Sequence, residues 1–150
     1  MTGLKIEKLS ASLEDYLEAI FHLVGEHTVA RSKDIAERLA VSRASVTGAL
    51  RALSQKGLVH YKPYGVVSLT GKGLAEAKKV AYRHATLESF FTDILGLENP
   101  LARESACRAE HALGQQVVGR LTKYMEFIAA RTAVGNSHAA GFERYYKKQR

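Results

Sequence analysis

Residues 35–50 read IAERLAVSRASVTGAL, and this stretch decides the fold of the N-terminal half of the chain. An apolar helical pattern ends near Leu39, and a second one starts after Ser42, a residue type that caps helix N-termini well. The small side chain of Ala36 allows two helices to cross closely, and Val41 is expected to fill the turn between them. The run therefore predicts a helix-turn-helix.

The flanking sequence extends the helix-turn-helix into a winged helix. A helical pattern over residues 12–26, with Ser12 as its expected N-cap, comes before it. A β-type pattern comes after it, since residues 58–62 and 66–69 flank the turn-forming sequence Pro-Tyr-Gly at 63–65. Three helices followed by a hairpin are the elements of a winged helix-turn-helix in their usual order.

The rest of the chain predicts helices only. Helical patterns extend from Thr70 to about Leu95 and from Asn99 to about Leu113. A further helical pattern follows Gly114. It carries apolar residues that either pack in a core or form a dimer interface: Val117, Leu121, Tyr124, Met125 and Ile128. Residues 133–141 have no period and predict a linker.

From these patterns we expect a mainly α chain with three parts. They are a winged-helix domain at 1–72, an all-α domain at 73–132, and a linker with a basic aromatic tail at 133–150. No stretch approaches the roughly 20 apolar residues that cross a membrane. The N-terminus also lacks the apolar core of a signal peptide, so we expect a soluble, cytoplasmic protein.

The charge is uneven along the chain. Its 150 residues include 22 Lys and Arg against 15 Asp and Glu, giving a net charge of +7 and a pI of about 9.6. No acidic residue lies between Glu37 and Glu76. A basic patch of this kind attracts nucleic-acid phosphates, although a solvated surface would show the same charges.

The outward positions of the helix-turn-helix and the hairpin tip are the candidate contacts with double-stranded DNA. Arg can donate two hydrogen bonds to guanine, and Ser and Thr can contact phosphates or bases. The predicted contacts are Lys33, Ser42, Arg43, Ser45, Thr47, Arg51, Lys62 and Tyr64. For the last two, an ordinary exposed turn is nearly as good an explanation.

A second group of residues has the chemistry of metal ligands. His84 lies in the middle of an apolar helical stripe, where an imidazole needs a partner, and Glu88 follows one turn later. Cys107, Glu110 and His111 share one arc of the next helix. Thiolate, carboxylate and imidazole together are donors for a divalent transition metal. A core histidine beside a buried cysteine would produce the same pattern.

Three features together resemble the DtxR/MntR family of metal-dependent transcriptional repressors, over roughly residues 10–130. They are the helix-turn-helix, the run Tyr82-Arg83-His84 and the block from Glu104 to His111. The resemblance implies a repressor of metal-homeostasis genes that binds operator DNA as a homodimer when metal is bound. It also implies a winged-helix domain, a C-terminal domain for dimerisation and metal binding, and metal ligands drawn from both.

The resemblance assigns metal ligands, namely Asp15, Glu18, His84, Glu88, Cys107, Glu110 and His111. By spacing alone, Asp15 and Glu18 would be helix-capping and surface residues, since Ser12 and Asp15 form a capping-box pattern. If all these residues are ligands, metal links the two domains and fixes the spacing of the recognition helices in a dimer.

The identity of the metal depends on a mixture of two ligand patterns. Asp15 and Glu18 resemble the manganese-type members, whereas Cys107 resembles the iron-type members. Arg103 occupies the position of a further His ligand in the iron type. Because a thiolate favours Fe²⁺ over the harder Mn²⁺, we expect Fe²⁺ first and Mn²⁺ second. We also expect a two-domain form that lacks the SH3-like third domain of longer members.

Two other functions compete with this interpretation. A winged-helix regulator that is independent of metal, or that senses a small organic ligand, would have the same DNA-binding half. A small metallohydrolase would use similar ligands, but the sequence lacks a Ser/His/Asp or HExxH arrangement and carries a basic helix-turn-helix. We therefore expect no enzymatic activity.

Overall fold

The computed structural model describes residues 8–132, 135 and 137–150. These residues form two compact units, which divide the chain at Val80 and Ala81. No helix among them is long and apolar enough to cross a membrane.

The first unit is a winged helix-turn-helix, as the sequence predicts. Its elements are α1 (Ala11–His27), β1 (Ala30–Arg31), α2 (Ser32–Leu39), α3 (Arg43–Gln55), β2 (Val59–His60) and β3 (Val66–Leu69). The three strands form an antiparallel sheet in the order β1-β3-β2. The hairpin of β2 and β3 is the predicted wing, whereas β1 has only two residues and no sequence pattern indicated it.

The core of the first unit is built from the apolar stripes of its three helices and from β3. Its most deeply buried side chains are Leu17, Ile20, Ile35, Val46, Leu50, Leu53 and Val67. Their spacing on α1 and α3 follows the helical period, so that one face of each helix is buried and the other carries polar residues. Burial of such side chains stabilises the fold by about 1.5–3 kcal/mol each, and it holds the outward face of α3 in place.

A bidentate ion pair joins α1 and α2. The Arg38 guanidinium donates hydrogen bonds of 2.9 Å to both carboxylate oxygens of Glu26. These hydrogen bonds hold the pKa of Glu26 below its usual value. Arg38 is therefore a residue of the basic stretch that has a structural role.

The first turn of α1 differs from the sequence prediction. Ser10, not Ser12, is the N-cap, and its hydroxyl accepts a hydrogen bond of 3.2 Å from the Leu13 amide. The predicted Ser12 cap, and the capping box that it forms with Asp15, are therefore wrong. Both serines come before the apolar stripe, and the helix begins two residues earlier than a cap at Ser12 would place it.

The turn between α2 and α3 is tight. Ala40 adopts the left-handed conformation, with φ 53° and ψ 46°, and the Val41 amide donates a hydrogen bond of 3.1 Å to the Ala36 carbonyl. The Val41 side chain is 37% exposed, so the prediction that it fills the turn is wrong. The backbone hydrogen bond, rather than an apolar plug, closes the turn.

Ala40→Gly is expected to stabilise the protein by about 0.5–1 kcal/mol, because glycine adopts a positive φ without the steric cost that a Cβ imposes. Chemical denaturation would show this as a higher midpoint at unchanged slope. Gly57→Ala is the matched control, since Gly57 has φ +72° and open space around its Cα. It should lower the midpoint. Equal midpoints for Ala40→Gly and wild type would contradict the strain assigned to Ala40.

The start of α4 (Gly71–Ser89) is tied to the wing. The Thr70 hydroxyl donates to the Gly57 carbonyl at 2.7 Å and accepts from the Gly73 amide at 2.9 Å. A Cβ at Gly73 would overlap the Leu58 carbonyl, so only glycine fits there. The N-cap role predicted for Thr70 follows from these contacts.

The division between the two units falls inside α4, and the domain border at 72/73 stays a prediction.

The second unit is all helical within the described residues. After α4 come a π-helical turn (Phe90–Ile94), α5 (Asn99–Ala109), α6 (Gln115–Arg131) and α7 (His138–Lys148). The Leu95 amide bonds to the Phe90 carbonyl at 3.2 Å, five residues earlier, and Gly96 ends this segment with φ +71°. The helix predicted to extend to Leu95 is therefore a regular α-helix only to Ser89, and it ends in this wider π-helical turn.

The predicted linker over 133–141 is wrong for residues 138–141. They form the first turn of α7, and the Ser137 side chain caps it by accepting a hydrogen bond of 3.3 Å from the Ala140 amide. No local pattern predicts the start of this helix, because alanine and glycine leave its first turn without an apolar period. Residues 133, 134 and 136 of the predicted linker lie outside the described part of the chain.

Candidate metal centre and nucleic-acid interface

Five of the predicted ligands meet in the second unit, and we call them the His84 cluster: His84, Glu88, Cys107, Glu110 and His111. His84 and Glu88 lie one turn apart on α4, and Cys107 lies on the last turns of α5. Glu110 is the C-cap of α5 and keeps helical backbone angles, so it remains on the arc of Cys107. The helical spacing seen in the sequence groups the residues of each helix on one side, and the fold brings the two groups together.

The imidazole of His84 is at the centre of the cluster. Its Nδ1 lies 2.7 Å from Glu110 Oε2, and its Nε2 lies 3.0 Å from Glu88 Oε2. Cys107 Sγ lies 3.7 Å from the same Nδ1. A neutral imidazole donates through one nitrogen only, so it can satisfy one of the two carboxylates. The other contact requires an additional positive charge.

Glu110 is the residue that makes the cluster suitable for a metal ion. Its side chain is fully buried, at 0% exposure, and its Oε1 has no hydrogen-bond partner among the described residues. His111 Nε2 lies 3.2 Å from that oxygen. A buried carboxylate is costly unless a cation or hydrogen bonds compensate for it. The donor set of imidazole, carboxylate and thiol fits a divalent transition metal.

Glu88 and Cys107 lie at the edge of the cluster. Glu88 Oε1 lies 3.7 Å from Arg103 Nε, on a side chain that is 72% exposed, so Glu88 faces His84 on one side and a guanidinium on the other. No sequence pattern indicated this ion pair. Cys107 is exposed, and the alternative of a cysteine buried in the core is therefore wrong.

Asp15 and Glu18, the other two predicted ligands, belong to the first unit. They lie three residues apart on α1, and hence on one side of that helix. Glu18 Oε1 lies 3.5 Å from His22 Nε2. Their role as metal ligands stays a prediction.

The outward face of α3 carries the predicted DNA contacts. Arg43, Ser45 and Arg51 are exposed, opposite the buried Val46 and Leu50. Arg43 and Arg51 are thus accessible to a partner, and their predicted contacts with DNA stay predictions.

The hydroxyl groups of the α3 region have local roles. Ser42 is the N-cap of α3, and its Oγ accepts a hydrogen bond of 3.1 Å from the Ser45 amide. Thr47 Oγ1 donates to the Arg43 carbonyl at 3.1 Å. The predicted DNA contacts of these hydroxyls stay predictions, and capping explains Ser42 independently.

Three further predicted contacts lie outside α3. Lys33 is exposed in the first turn of α2, and Lys62 and Tyr64 are exposed at the wing tip. Tyr64 is held in a left-handed conformation, with φ 62°, and its ring is fully exposed. A large aromatic side chain in this position is available for a partner.

Comparison with known proteins matches both halves of the chain. Residues 8–67 match the pattern described as "Iron dependent repressor, N-terminal DNA binding domain". Residues 70–134 match "Iron dependent repressor, metal binding and dimerisation domain". The chain belongs to the iron-dependent repressor family. This confirms the resemblance to the DtxR/MntR repressors, and repressors of this family are not enzymes, which removes the metallohydrolase alternative.

Individual relatives of this repressor cover most of its length. It is 38% identical to an uncharacterized HTH-type transcriptional regulator of Methanocaldococcus jannaschii, over 79% of this chain and 95% of that protein. It is 35% identical to the HTH-type transcriptional regulator MntR of Bacillus pumilus, over 78% of this chain and 81% of that protein.

A solved structure, that of the manganese regulator SloR, has a similar fold. It matches with a TM-score of 0.68 and 29% identity over 77% of this chain. The repressor spans about half of that longer protein, since the match covers 54% of it.

Proposed function

We propose that this chain is a metal-activated transcriptional repressor that binds operator DNA as a homodimer and controls metal-homeostasis genes in the cytoplasm. The observation that carries the proposal is the buried Glu110 carboxylate, whose Oε1 has no hydrogen-bond partner among the described residues. A bound divalent cation would compensate this charge. The N-terminal half, which matches the family's DNA-binding domain, would bind the operator in response to the metal.

The His84 cluster supplies the ligands in this proposal. His84, Glu110 and His111 would hold the ion, because the two carboxylate oxygens of Glu110 lie 2.7 Å from His84 Nδ1 and 3.2 Å from His111 Nε2. Cys107 would add a thiolate. Glu88 would bind the ion or stay with Arg103 and His84. The resemblance adds Asp15 and Glu18 to the proposed set.

We favour Fe²⁺ as the activating ion, with Mn²⁺ as the second candidate. The thiol of Cys107 lies 3.7 Å from His84 Nδ1, and a sulfur donor among nitrogen and oxygen donors favours Fe²⁺. Arg103 argues against a second iron-type site, because its guanidinium pairs with Glu88.

Metal and DNA would be coupled thermodynamically. In a dimer, two recognition helices enter successive major grooves about 34 Å apart. If bound metal stabilises the arrangement that has this spacing, it tightens DNA binding, typically by about 5- to 150-fold, and DNA tightens metal binding by the same factor.

The proposal is tested by anaerobic selection of genomic DNA fragments on the purified protein with Fe²⁺, with Mn²⁺ or with a chelator, followed by sequencing. We expect palindromic sites to be enriched with one metal and lost with the chelator. The metal with the stronger enrichment identifies the corepressor. Equal enrichment in all three samples would overturn metal activation and favour a metal-independent winged-helix regulator.

A further inference from the structure

Helix α7 lies beyond the residues that the family patterns match, which end at 134. It begins at His138 with a Ser137 cap and packs against the π-helical turn Phe90–Ile94. A methyl group added at Gly96 would lie in contact with Ala139, which shows which side of α7 faces the rest of the unit. Nothing in the metal or DNA sites described above uses this helix.

The side of α7 opposite Ala139 is basic. At 100° per residue, Arg144, Tyr145 and Lys148 lie about 140°, 120° and 180° from Ala139 around the helix. All three are exposed, and we call them the α7 basic face. Lys147 lies about 80° from Ala139 and is not part of this face. Tyr145 is 62% exposed.

The charge of this segment is strongly one-sided. Residues 138–150 contain four Arg and Lys residues and a single carboxylate, Glu143. Glu143 lies 3.4 Å from Lys147 in an exposed i,i+4 pair, which screens little of that charge. The segment therefore attracts a polyanion.

A second copy of this chain is a poor occupant of the α7 basic face. A two-fold interface would bring the same cations of both copies together, and like charges in contact oppose association. A lipid surface would require a row of apolar residues for insertion, and Tyr145 is the only large ring on this face. Duplex DNA has the matching charge, and the family's N-terminal half already binds it.

We propose that the α7 basic face binds the phosphate backbone of duplex DNA beside the operator. The inference rests on the proposed function, because the winged helix first has to bring the protein to DNA. The contact carries no sequence information, and it increases affinity and salt dependence instead.

The test compares wild type with the double variant Arg144→Gln/Lys148→Gln. With saturating metal, affinity for operator DNA and for random duplex is measured between about 50 and 200 mM salt. Loss of two phosphate contacts per chain lowers the magnitude of the slope of log K against log salt by about 1.8 for each chain of the dimer that contacts DNA. Across that range the wild type then loses about 12-fold more affinity than the variant for each such chain.

A matched control distinguishes an effect of the α7 basic face from an effect of net charge alone. Arg120→Gln/Arg131→Gln removes the same charge from exposed positions of α6 and should leave the slope near wild type. The inference is overturned if wild type and the α7 variant have equal slopes. It is also overturned if the magnitude of the slope falls equally in the α7 variant and in the α6 control variant. Circular dichroism shows whether α7 remains helical.

The outcomes also separate this inference from the proposed function. If wild type binds DNA without any metal dependence, the proposed function fails, while the slopes on random duplex still decide the α7 inference. If the α7 variant keeps the wild-type slope but loses binding to phosphatidylglycerol vesicles, a lipid surface replaces DNA as the partner and the inference is overturned.

Discussion

Glu110→Gln is expected to weaken metal binding by more than about 100-fold, since loss of even an outer partner of a metal site costs about 10- to 100-fold. The amide removes the buried charge that a cation compensates, while the size of the side chain hardly changes. The measurement is an anaerobic titration with Fe²⁺ and with Mn²⁺. Metal-dependent DNA binding should be lost together with the metal.

The stability of the metal-free variant distinguishes a metal ligand from a structural carboxylate. Without metal, Glu110→Gln should be at least as stable as wild type, because an unfavourable buried charge has been removed. Glu104→Gln is the control, as Glu104 is an exposed carboxylate on the same helix. Metal affinity of Glu110→Gln within about threefold of wild type would contradict the metal centre proposed here, since a lost ligand should cost far more.

Arg43→Ala and Arg51→Ala are each expected to lower operator affinity by about 5- to 150-fold, or about 1–3 kcal/mol. Both guanidinium groups are exposed on the outward face of α3, where they can contact bases or phosphates. Fluorescence anisotropy at saturating metal and fixed salt measures the effect. Metal affinity in the absence of DNA should not change.

Lys78→Ala is the control for these variants, because Lys78 is an exposed cation of the first unit that lies outside the helix-turn-helix. It changes net charge by the same amount and should cost little affinity. A loss for Arg43→Ala no larger than that for Lys78→Ala would argue against α3 as the recognition helix. A variant that lowers the affinity for random DNA and for operator DNA equally identifies a phosphate contact. A variant that discriminates less between operator and random DNA identifies a base contact.

The parts of the fold that were predictable are those with a strong local period. The apolar stripes of α1 and α3 and the change of period at the wing each produce a pattern of several residues. β1 has two residues and is held by its pairing with β3, so no local pattern could show it. The first turn of α7 is formed by small residues with no apolar period.

The candidate site was predictable in its residue types and only partly in its arrangement. Helical spacing put Cys107, Glu110 and His111 on one arc, and the apolar surroundings of His84 required a partner. Glu110 is completely buried and Arg103 pairs with Glu88 of a different helix, and both features depend on the tertiary fold. Local sequence patterns carry no information about such tertiary contacts.

The π-helical turn at Phe90–Ile94 makes the second unit tolerant of a change of one residue in chain length. Such a turn holds one residue more than the regular α-helix would. A chain shorter by one residue there would form a regular helix, and the segment after it would keep its direction because the wider turn had absorbed the additional residue. Gly96 would then still lie beside Ala139. Homologous sequences with this fold should therefore tolerate a one-residue gap at 90–94 without a different position for the last helix.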